Sequence, residues 1–291
     1  MPKITKFTVD DIRFPTSKDL TGSDAIHTDP DYSATYVTVF TSDKNLTGFG
    51  IAFTIGKGND IVAECIKHYF PLFIGKTIDE LQRDIGKLWY QCVDHSQLRW
   101  LGPEKGVVHM AVAAIFNSLW DLIAKKNQKP LWQFVVDSKP ETIMEWLTFK
   151  YIEDALSKDE AFKILQDSQK NKEHRIQTIL DEGYPSYTTA AGWLGYSDEK
   201  IIELCNRYIA QGWKHFKIKV GQDLEADVKR LELIRNAIGP DCSIMVDANQ
   251  QWSVEQSIKH INAYKKFNLS FVEEPTSPDD VMGFVKIKKE I

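Results

Sequence analysis

HFKIKV, at residues 215–220, is the first of three short apolar runs that decide the fold. The second is SIMVDAN at 243–249, and the third is LSFVEEP at 269–275. Segments with helical periodicity separate these runs, and strands separated by helices of this length indicate βαβ units and a parallel sheet. YTTAAGWLG at 187–195 predicts one more strand, so about four βα units occupy residues 186–291. We therefore expect an α/β fold, either a barrel or a doubly wound sheet.

Ionisable side chains stand near the ends of the three runs. Lys217 and Lys219 share one face of the first strand, and its apolar residues share the other. Asp247, followed by Asn249, ends the second strand, and Glu273 ends the third. From Lys219 to Asp247 and on to Glu273 the steps are 28 and 26 residues, one βα unit each. The C-terminal ends of parallel barrel strands lie side by side, where active sites form, so we expect these side chains to converge.

The chemistry of such a group is specific. Two adjacent carboxylates repel each other unless a cation lies between them, and oxygen ligands favour a hard ion, Mg²⁺ first. A neighbouring ammonium and a metal would each lower the pKa of a lysine towards a usable base, while the metal stabilises an enediolate. Taken singly, a strand lysine is usually solvated and an aspartate after a strand is usually a turn former. A Schiff-base aldolase with Lys219 as nucleophile is the alternative, against which Asp247 and Glu273 argue.

The first half of the chain follows a different pattern. Within residues 1–55, ITKFTVDDIRF and TYVTVFTS alternate apolar and polar residues, which predicts antiparallel strands joined by a turn-rich loop. Helical patterns follow, and the long apolar pattern over about 105–125 predicts a buried helix. We expect an α+β domain over 1–140 and a charged helical connector or insertion over 141–185.

Composition limits the classes of function. The 291 residues are 43% hydrophobic and 26% charged, as in soluble globular proteins. The net charge of −5 argues against a nucleic-acid partner, and no stretch approaches the roughly 20 apolar residues that a membrane helix needs. The four cysteines are dispersed, which argues against disulfides and structural zinc. The N-terminus shows no secretory or transit pattern, which predicts a cytoplasmic location.

KIK, VDAN and VEEP at these spacings resemble the enolase superfamily, in its mandelate racemase branch. Four further stretches resemble the L-fuconate dehydratases of that branch: RFPTSKDLTGSDAIHTDPDYSA, LRWLGPEKGVVH, YTTAAGWLGYSDE and FVEEPTSPDD. The resemblance covers the whole chain. It implies that 1–140 is a capping domain and that 186–291 is the N-terminal half of an enolase-type (β/α) barrel. It also implies a Mg²⁺-dependent hydro-lyase that converts a small acid sugar to a 2-keto-3-deoxy acid, and it leaves a mitochondrial location open.

The resemblance implies roles for individual residues. Lys219 would be the base that removes the proton α to the substrate carboxylate, and Lys217 would bind that carboxylate and lower the pKa of Lys219. Asp247 and Glu273 would be magnesium ligands, and Asn249 would bind the substrate or face the shell of the metal. The substrate loop of the capping domain would contribute Gly22, Ser23, Asp24 and Tyr32, with Trp100 closing the pocket. Without the resemblance, the first three residues of that loop form an ordinary turn and Trp100 makes a rim contact.

The resemblance also implies groups that would lie beyond Ile291. A third carboxylate ligand would fall near residue 299, one βα unit after Glu273, and a general-acid histidine would follow on a later strand. We therefore expect a C-terminally truncated family member whose 291 residues alone do not dehydrate acid sugars. The alternative is a non-catalytic binding or regulatory protein. An open barrel edge would favour a homo-oligomer. The histidines at positions 27, 95 and 109 show no partner pattern, and we expect them to be structural.

Overall fold

The computed structural model describes residues 1–101, 104 and 106–291, which form two compact units. The first unit comprises 1–14 and 32–183, and the second comprises 15–31 and 184–291. The segment predicted as a connector, 141–185, thus falls almost entirely in the first unit, whereas the turn-rich loop belongs to the second. Three residues of the stretch LRWLGPEKGVVH lie outside the described residues: Gly102, Pro103 and Lys105.

The first unit is built on an antiparallel sheet with the order β1-β2-β3, which confirms the strands expected there. The strands are β1 (Ile4–Arg13), β2 (Ser33–Thr41) and β3 (Thr47–Thr54). Seven helices follow: α1 (Asn59–Tyr69), α2 (Ile78–Val93), α3 (Val107–Lys126), α4 (Leu131–Asp137), α5 (Pro140–Trp146), α6 (Lys158–Asp167) and α7 (Lys172–Glu182). Because side chains alternate along a strand, one face of the sheet packs on these helices and the other faces outward.

Helix α3 is the centre of the core of this unit. It packs so closely on β3 that a Cβ at Gly48 or Gly50 would lie 2.3 or 2.1 Å from a carbonyl oxygen of the helix. Glycine is therefore needed at both positions, because any side chain would collide with helix backbone. By length and composition α3 is also able to span a membrane, contrary to the expectation that no stretch approaches that limit. Since 61% of its most apolar window is buried, the buried helix that the sequence predicted is the better description.

Side chains of α3 also bind the free edge of β3. Asp121 accepts a hydrogen bond from the backbone N–H of Phe49 at 2.9 Å, and the ammonium of Lys125 donates to the carbonyl of Thr47 at 2.8 Å. Lys125 and Asp121 are ion-paired with each other at 2.6 Å. Backbone groups that another strand would otherwise use are thus already occupied.

The second unit is a three-stranded parallel sheet with the order β4-β5-β6, flanked by helices. Its elements are α8 (Asp198–Ala210), β4 (His215–Lys219), α9 (Leu224–Ile238), β5 (Ser243–Asp247), α10 (Val254–Tyr264), β6 (Leu269–Glu273) and α11 (Val281–Glu290). Side chains of Ser197, Asp223, Ser253 and Asp280 cap the four helices. The sequence contains these caps just before each apolar pattern, which is why the alternation of strand and helix is readable. The α/β fold class is confirmed.

The strand expected at 187–195 is not formed, so the unit has three strands rather than four. Only Thr188 is in register, as an isolated parallel bridge to Phe216. The chain then turns, with the N–H of Gly192 donating to the carbonyl of Thr189 at 2.9 Å. A Cβ at Gly192 would lie 2.2 Å from the carbonyl oxygen of Lys217, so a glycine turn approaches β4 where a strand was predicted.

Candidate active site

The register of the parallel sheet brings the predicted site residues together. Lys219 is the register partner of Asp247, and Asp247 is the register partner of Glu273. Three successive strands thus end at the same level, as the spacing predicts. The alternation in β4 places Phe216 and Ile218 in the buried core, so that both lysines lie on the opposite face.

Two lysines and two carboxylates form a connected network at these strand ends. The ammonium of Lys217 donates to Glu273 Oε2 at 2.7 Å and lies 3.2 Å from Asp247 Oδ2. The ammonium of Lys219 donates to the same oxygen of Asp247 at 2.7 Å and to Asn249 Oδ1 at 2.8 Å. Asn249 in turn donates its backbone N–H to Asp247 Oδ1 at 3.0 Å. Asp247 is therefore the hub that both lysines share.

Burial and charge set the protonation of this network. Lys217, Lys219 and Asp247 are all buried, while the side chain of Glu273 is 37% exposed. Burial opposes ionisation of Asp247, but the hydrogen bond and charge of Lys219 outweigh it and hold the pKa of Asp247 below its usual value. Burial likewise opposes the charged form of Lys217, but hydrogen bonds to Glu273 and Tyr187 and the charge of Asp247 raise the pKa of Lys217. The carboxylates thus outweigh the neighbouring ammonium at Lys217, and the lowered pKa expected for Lys219 stays a prediction.

The oxygen donors of this network fit a hard divalent cation in part. Asp247 and Glu273 come from neighbouring strands, and carboxylate oxygens are the ligands that Mg²⁺ prefers, together with water. Over the residues that the structure describes, no group of three or more His, Cys, Asp and Glu side chains is arranged to hold a metal ion. Asp247 and Glu273 therefore offer two carboxylate ligands, and both carboxylates are ion-paired with lysines.

The turn-rich loop of the second unit packs beside β4. Gly22 has a φ of +90°, and Ser23, which is buried, donates its hydroxyl to the carbonyls of Leu20 and Leu194. Asp24 is also buried, and its carboxylate accepts from the backbone N–H of His27 at 2.7 Å and contacts the His27 ring nitrogen Nδ1 at 3.0 Å. These bonds and the positive φ of Gly22 close a turn, so they account for all three residues of GSD without a ligand. His27, for which no partner was expected, is the partner of Asp24.

Two predicted residues lie in the first unit. Tyr32 packs its ring edge-on against Phe53 at 5.2 Å. Trp100 is 81% exposed, beside Arg99. Tyr32 is partly buried and Trp100 lies at the surface, and their roles toward a substrate stay predictions.

Sequence reasoning missed two aromatic rings that flank the lysines. The ammonium of Lys217 lies 5.0 Å from the ring centre of Tyr187, and that of Lys219 lies 5.6 Å from the ring centre of Trp193. Both rings come from the segment that was expected to be a strand, YTTAAGWLG. The available signal was the pair of aromatic residues flanking Gly192, whose closeness to β4 lets both rings reach the lysines.

Comparison with known proteins places the chain in a family. Residues 23–135 match the family described as mandelate racemase / muconate lactonizing enzyme, N-terminal domain. Residues 200–291 match the enolase C-terminal domain-like family. The chain belongs to the enolase superfamily. The lysines, Asp247 and Glu273 thus lie within the part that matches the C-terminal enolase-like domain.

Three enolase-superfamily relatives are closely similar to this chain. Mitochondrial enolase superfamily member 1 of Xenopus laevis is 46% identical over 99% of this chain and 65% of its own length. L-galactonate dehydratase of Hypocrea jecorina is 45% identical over 98% of this chain and 64% of its own length. The crystal structure of human mitochondrial enolase superfamily member 1 superposes with a TM-score of 0.95 at 43% identity, over 99% of this chain and 66% of that one. The chain therefore spans a little under two thirds of the length of these relatives.

More distant solved members of the superfamily share the fold at 20–24% identity. Structures among them contain magnesium, and two also contain L-glucarate. At that identity they show a common fold for this chain and nothing finer.

Proposed function

We propose that this chain carries the proton-abstracting part of an acid-sugar dehydratase. The substrate we assign is L-fuconate, from which loss of water gives 2-keto-3-deoxy-L-fuconate. One observation carries the proposal: Lys217 and Lys219 interlock with Asp247 and Glu273 at the ends of three adjacent parallel strands, with nitrogen–oxygen distances of 2.7–3.2 Å. The relationship to acid-sugar dehydratases of the same superfamily supports this reaction class.

Lys219 and Lys217 have different roles in the proposed removal of the proton. Lys219 is the base that takes the proton from C2, and its nitrogen is oriented by Asp247 and Asn249. Lys217 stays an ammonium because its pKa is raised, and it binds the substrate carboxylate through that positive charge. As Lys219 takes the C2 proton, negative charge develops on the carboxylate. Departure of the C3 hydroxyl as water then needs a proton from an acid outside the residues assigned here, and it gives an enol that becomes the 2-keto acid.

A divalent cation completes the proposed site. Asp247 and Glu273 would hold Mg²⁺, and the bound cation would supply positive charge that stabilises the carboxylate as its charge increases. The carboxylates that would hold the cation are the same ones that accept hydrogen bonds from Lys217 and Lys219. With two carboxylates, one of them partly exposed, we expect weak binding by this chain.

The substrate loop and the flanking rings define the rest of the proposed pocket. Ser23 donates its hydroxyl to the carbonyl of Leu194, in the segment that also carries both rings. We propose that Ser23 and Asp24 shape the loop and that backbone groups around Gly22 contact sugar hydroxyls. L-fuconate is the 6-deoxy form of L-galactonate, so the Hypocrea relative's name favours the same stereochemistry.

The test separates proton abstraction from elimination. The purified 291-residue chain is incubated in D₂O with Mg²⁺ and, separately, L-fuconate, L-galactonate and a C4 epimer, and NMR follows loss of the C2 proton. We expect Mg²⁺-dependent exchange for L-fuconate that disappears in Lys219→Ala. We expect no 2-keto product from this chain alone, since the assigned groups include no acid for the leaving hydroxyl.

Two results would contradict the proposal. If the folded chain with Mg²⁺ exchanges the C2 proton of no six-carbon aldonate, the assignment of proton abstraction is wrong. Borohydride trapping of a carbonyl substrate on Lys219 would replace it with the Schiff-base alternative. Rapid 2-keto product formation would instead show that the chain is a complete dehydratase.

The cellular location is also a proposal. The names of the vertebrate relatives favour mitochondria over the cytoplasm that the N-terminal sequence suggested. Fluorescence microscopy of the chain tagged at its C-terminus tests this directly, and a uniform cytosolic signal would restore the cytoplasmic location.

A further inference from the structure

The outward face of the sheet in the first unit is unusually apolar. A solvated face of an antiparallel sheet normally carries polar side chains. Here the outward positions of β3 are Phe49, Ile51 and Phe53, which are 42%, 42% and 54% exposed. Next to them on β2 lie Tyr36 and Phe40, since Tyr36 pairs with Ile51 and Phe40 follows on the same face. The outer sheet face is defined by these residues and by the outward positions of β1, which are Lys6, Thr8, Asp10 and Ile12.

Addition of a further strand at the edge of the sheet does not explain why this face is apolar. The edge of β3 is bound by Asp121 and Lys125 of α3, so another strand cannot add there without displacing both. What is left uncovered is the flat face itself. A second sheet laid on it, about 10 Å away, is the packing that buries such a surface.

The charges on β1 indicate that the second sheet is the same sheet of another copy of this chain. Lys6 and Asp10 lie on the same face of β1, with Thr8 between them, and neither forms an ion pair with any other described residue. Consider a two-fold axis that lies between the two sheets and crosses the strands at Thr8. The strands of the second copy then run antiparallel to those of the first. The axis therefore places Lys6 of one copy opposite Asp10 of the other, twice. The same axis stacks Phe49 on its own copy.

We propose that the outer sheet face binds the same face of a second copy of this chain. The β1 charges fix the register, and the apolar side chains of β2 and β3 supply the buried surface. Such an interface is isologous, since each contact occurs twice. Three strands about 4.8 Å apart and about eight residues long give a flat footprint of roughly 400 Å² per copy, about half that of a standard interface, so we expect a weak dimer.

Sedimentation velocity of the full chain between about 1 and 300 μM measures the dimer. Ile51→Lys, on the outer face next to the row of Phe49, is expected to raise the dissociation constant at least about tenfold. Ile61→Lys adds the same charge at an exposed isoleucine of α1 and should leave the constant unchanged. Circular dichroism of each variant checks that it is folded, and hydrogen exchange over 34–40 and 47–53 should slow as the wild-type concentration rises.

A charge swap tests the register independently of apolar burial. Lys6→Asp and Asp10→Lys should each weaken the dimer about tenfold, because each creates two like-charge contacts. The double variant reverses both pairs and should dimerise within about threefold of the wild type. A monomer throughout the range, association insensitive to Ile51→Lys, or a double variant as weak as the singles would each overturn the proposal.

Discussion

The two sheets of this chain have three strands each, but their free edges are treated differently. The β3 edge of the first unit is occupied by side chains of α3, with Asp121 on the N–H of Phe49 and Lys125 on the carbonyl of Thr47. In the described part of the chain, β6 pairs only with β5. Beside β6 lies a groove of about 410 Å³, and Phe271 on its wall is 43% exposed.

The difference follows from the two topologies. An antiparallel sheet made by short connections needs one helix layer, and that layer can reach round to the edge. A parallel sheet is built from repeating βα units, and its strands are normally covered on both faces and paired on both sides. The groove beside β6, lined by residues such as Ile261, Phe284 and Ile287, is where a neighbouring unit would pack. The β3 edge is thus occupied by residues of its own unit, whereas in the described part of the chain the β6 edge is not paired.

The largest expected effect concerns the closeness of α3 to β3. In Gly50→Ala the added Cβ would lie 2.1 Å from the carbonyl oxygen of Ala114 and 2.7 Å from the backbone nitrogen of Ser118. Because backbone must move, we expect a loss of at least about 3 kcal/mol in the unfolding free energy of the first unit. Urea denaturation followed by circular dichroism measures it. Thr38→Ala, on the outer face of β2, is the control and should cost less than about 1 kcal/mol. Equal costs for the two variants would show that α3 is not fixed against the sheet.

The next effect concerns the hub of the candidate site. Asp247→Asn removes the carboxylate shared by Lys217 and Lys219 and leaves two buried ammonium groups with Glu273 alone. We expect the second unit to lose about 2–3 kcal/mol at pH 7, since breaking a buried pair strands a charge. Because the pKa of Asp247 is lowered, its stabilisation is present above the ordinary carboxylate pKa. The difference between the variant and the wild type should therefore shrink as the pH falls below about 4.

A surface ion pair provides the control for Asp247. Lys266 and Glu232 are about half exposed, so Glu232→Gln should leave the unfolding free energy of the second unit unchanged. If Asp247→Asn also leaves the unfolding free energy unchanged at pH 7, the network is not buried as described.

The site was readable from the sequence only where its residues belong to regular elements. Lys219, Asp247 and Glu273 could be placed together because strand alternation and the length of a βα unit fix where strand ends fall. The turn at Gly192 could not be foreseen, because a close approach to the carbonyl of Lys217 replaces the expected strand. That turn is also why the ring near Lys219 was missed.

The charge balance of the candidate site was the second feature that the sequence could not predict. The sequence shows two lysines and two carboxylates but not their distances, and the raised pKa of Lys217 depends on contacts of 2.7–3.2 Å. The bond between Asp24 and His27 is a similar case, since an aspartate three residues before a histidine specifies a turn only once the loop is folded. The alternation of FGIAF predicts that Phe49, Ile51 and Phe53 share one face of β3. It does not predict that this face is uncovered.

A smaller effect is expected at the protected edge. Asp121→Ala removes the acceptor for the N–H of Phe49 and the partner of Lys125. Since the edge is accessible to water, we expect a loss of only about 1 kcal/mol in the first unit, together with faster aggregation on warming. Urea denaturation and light scattering measure the two. Glu64→Ala breaks a surface ion pair with Lys67 on α1 and should change neither. Unchanged aggregation in Asp121→Ala would mean that the side chains of α3 do not protect β3.

The smallest effect on stability, and a clear one on solubility, is expected at the unprotected edge. Phe271→Lys places a charge on β6, which should slow aggregation severalfold because a charged edge resists pairing with other chains. The unfolding free energy should change by less than about 0.5 kcal/mol, since this side chain is already half exposed. Met282→Lys adds the same charge at a position of α11 that is 74% exposed and does not line the groove, and it should leave the aggregation rate unchanged. Equal slowing by both variants would assign the effect to net charge and would remove β6 as the edge through which the chain associates.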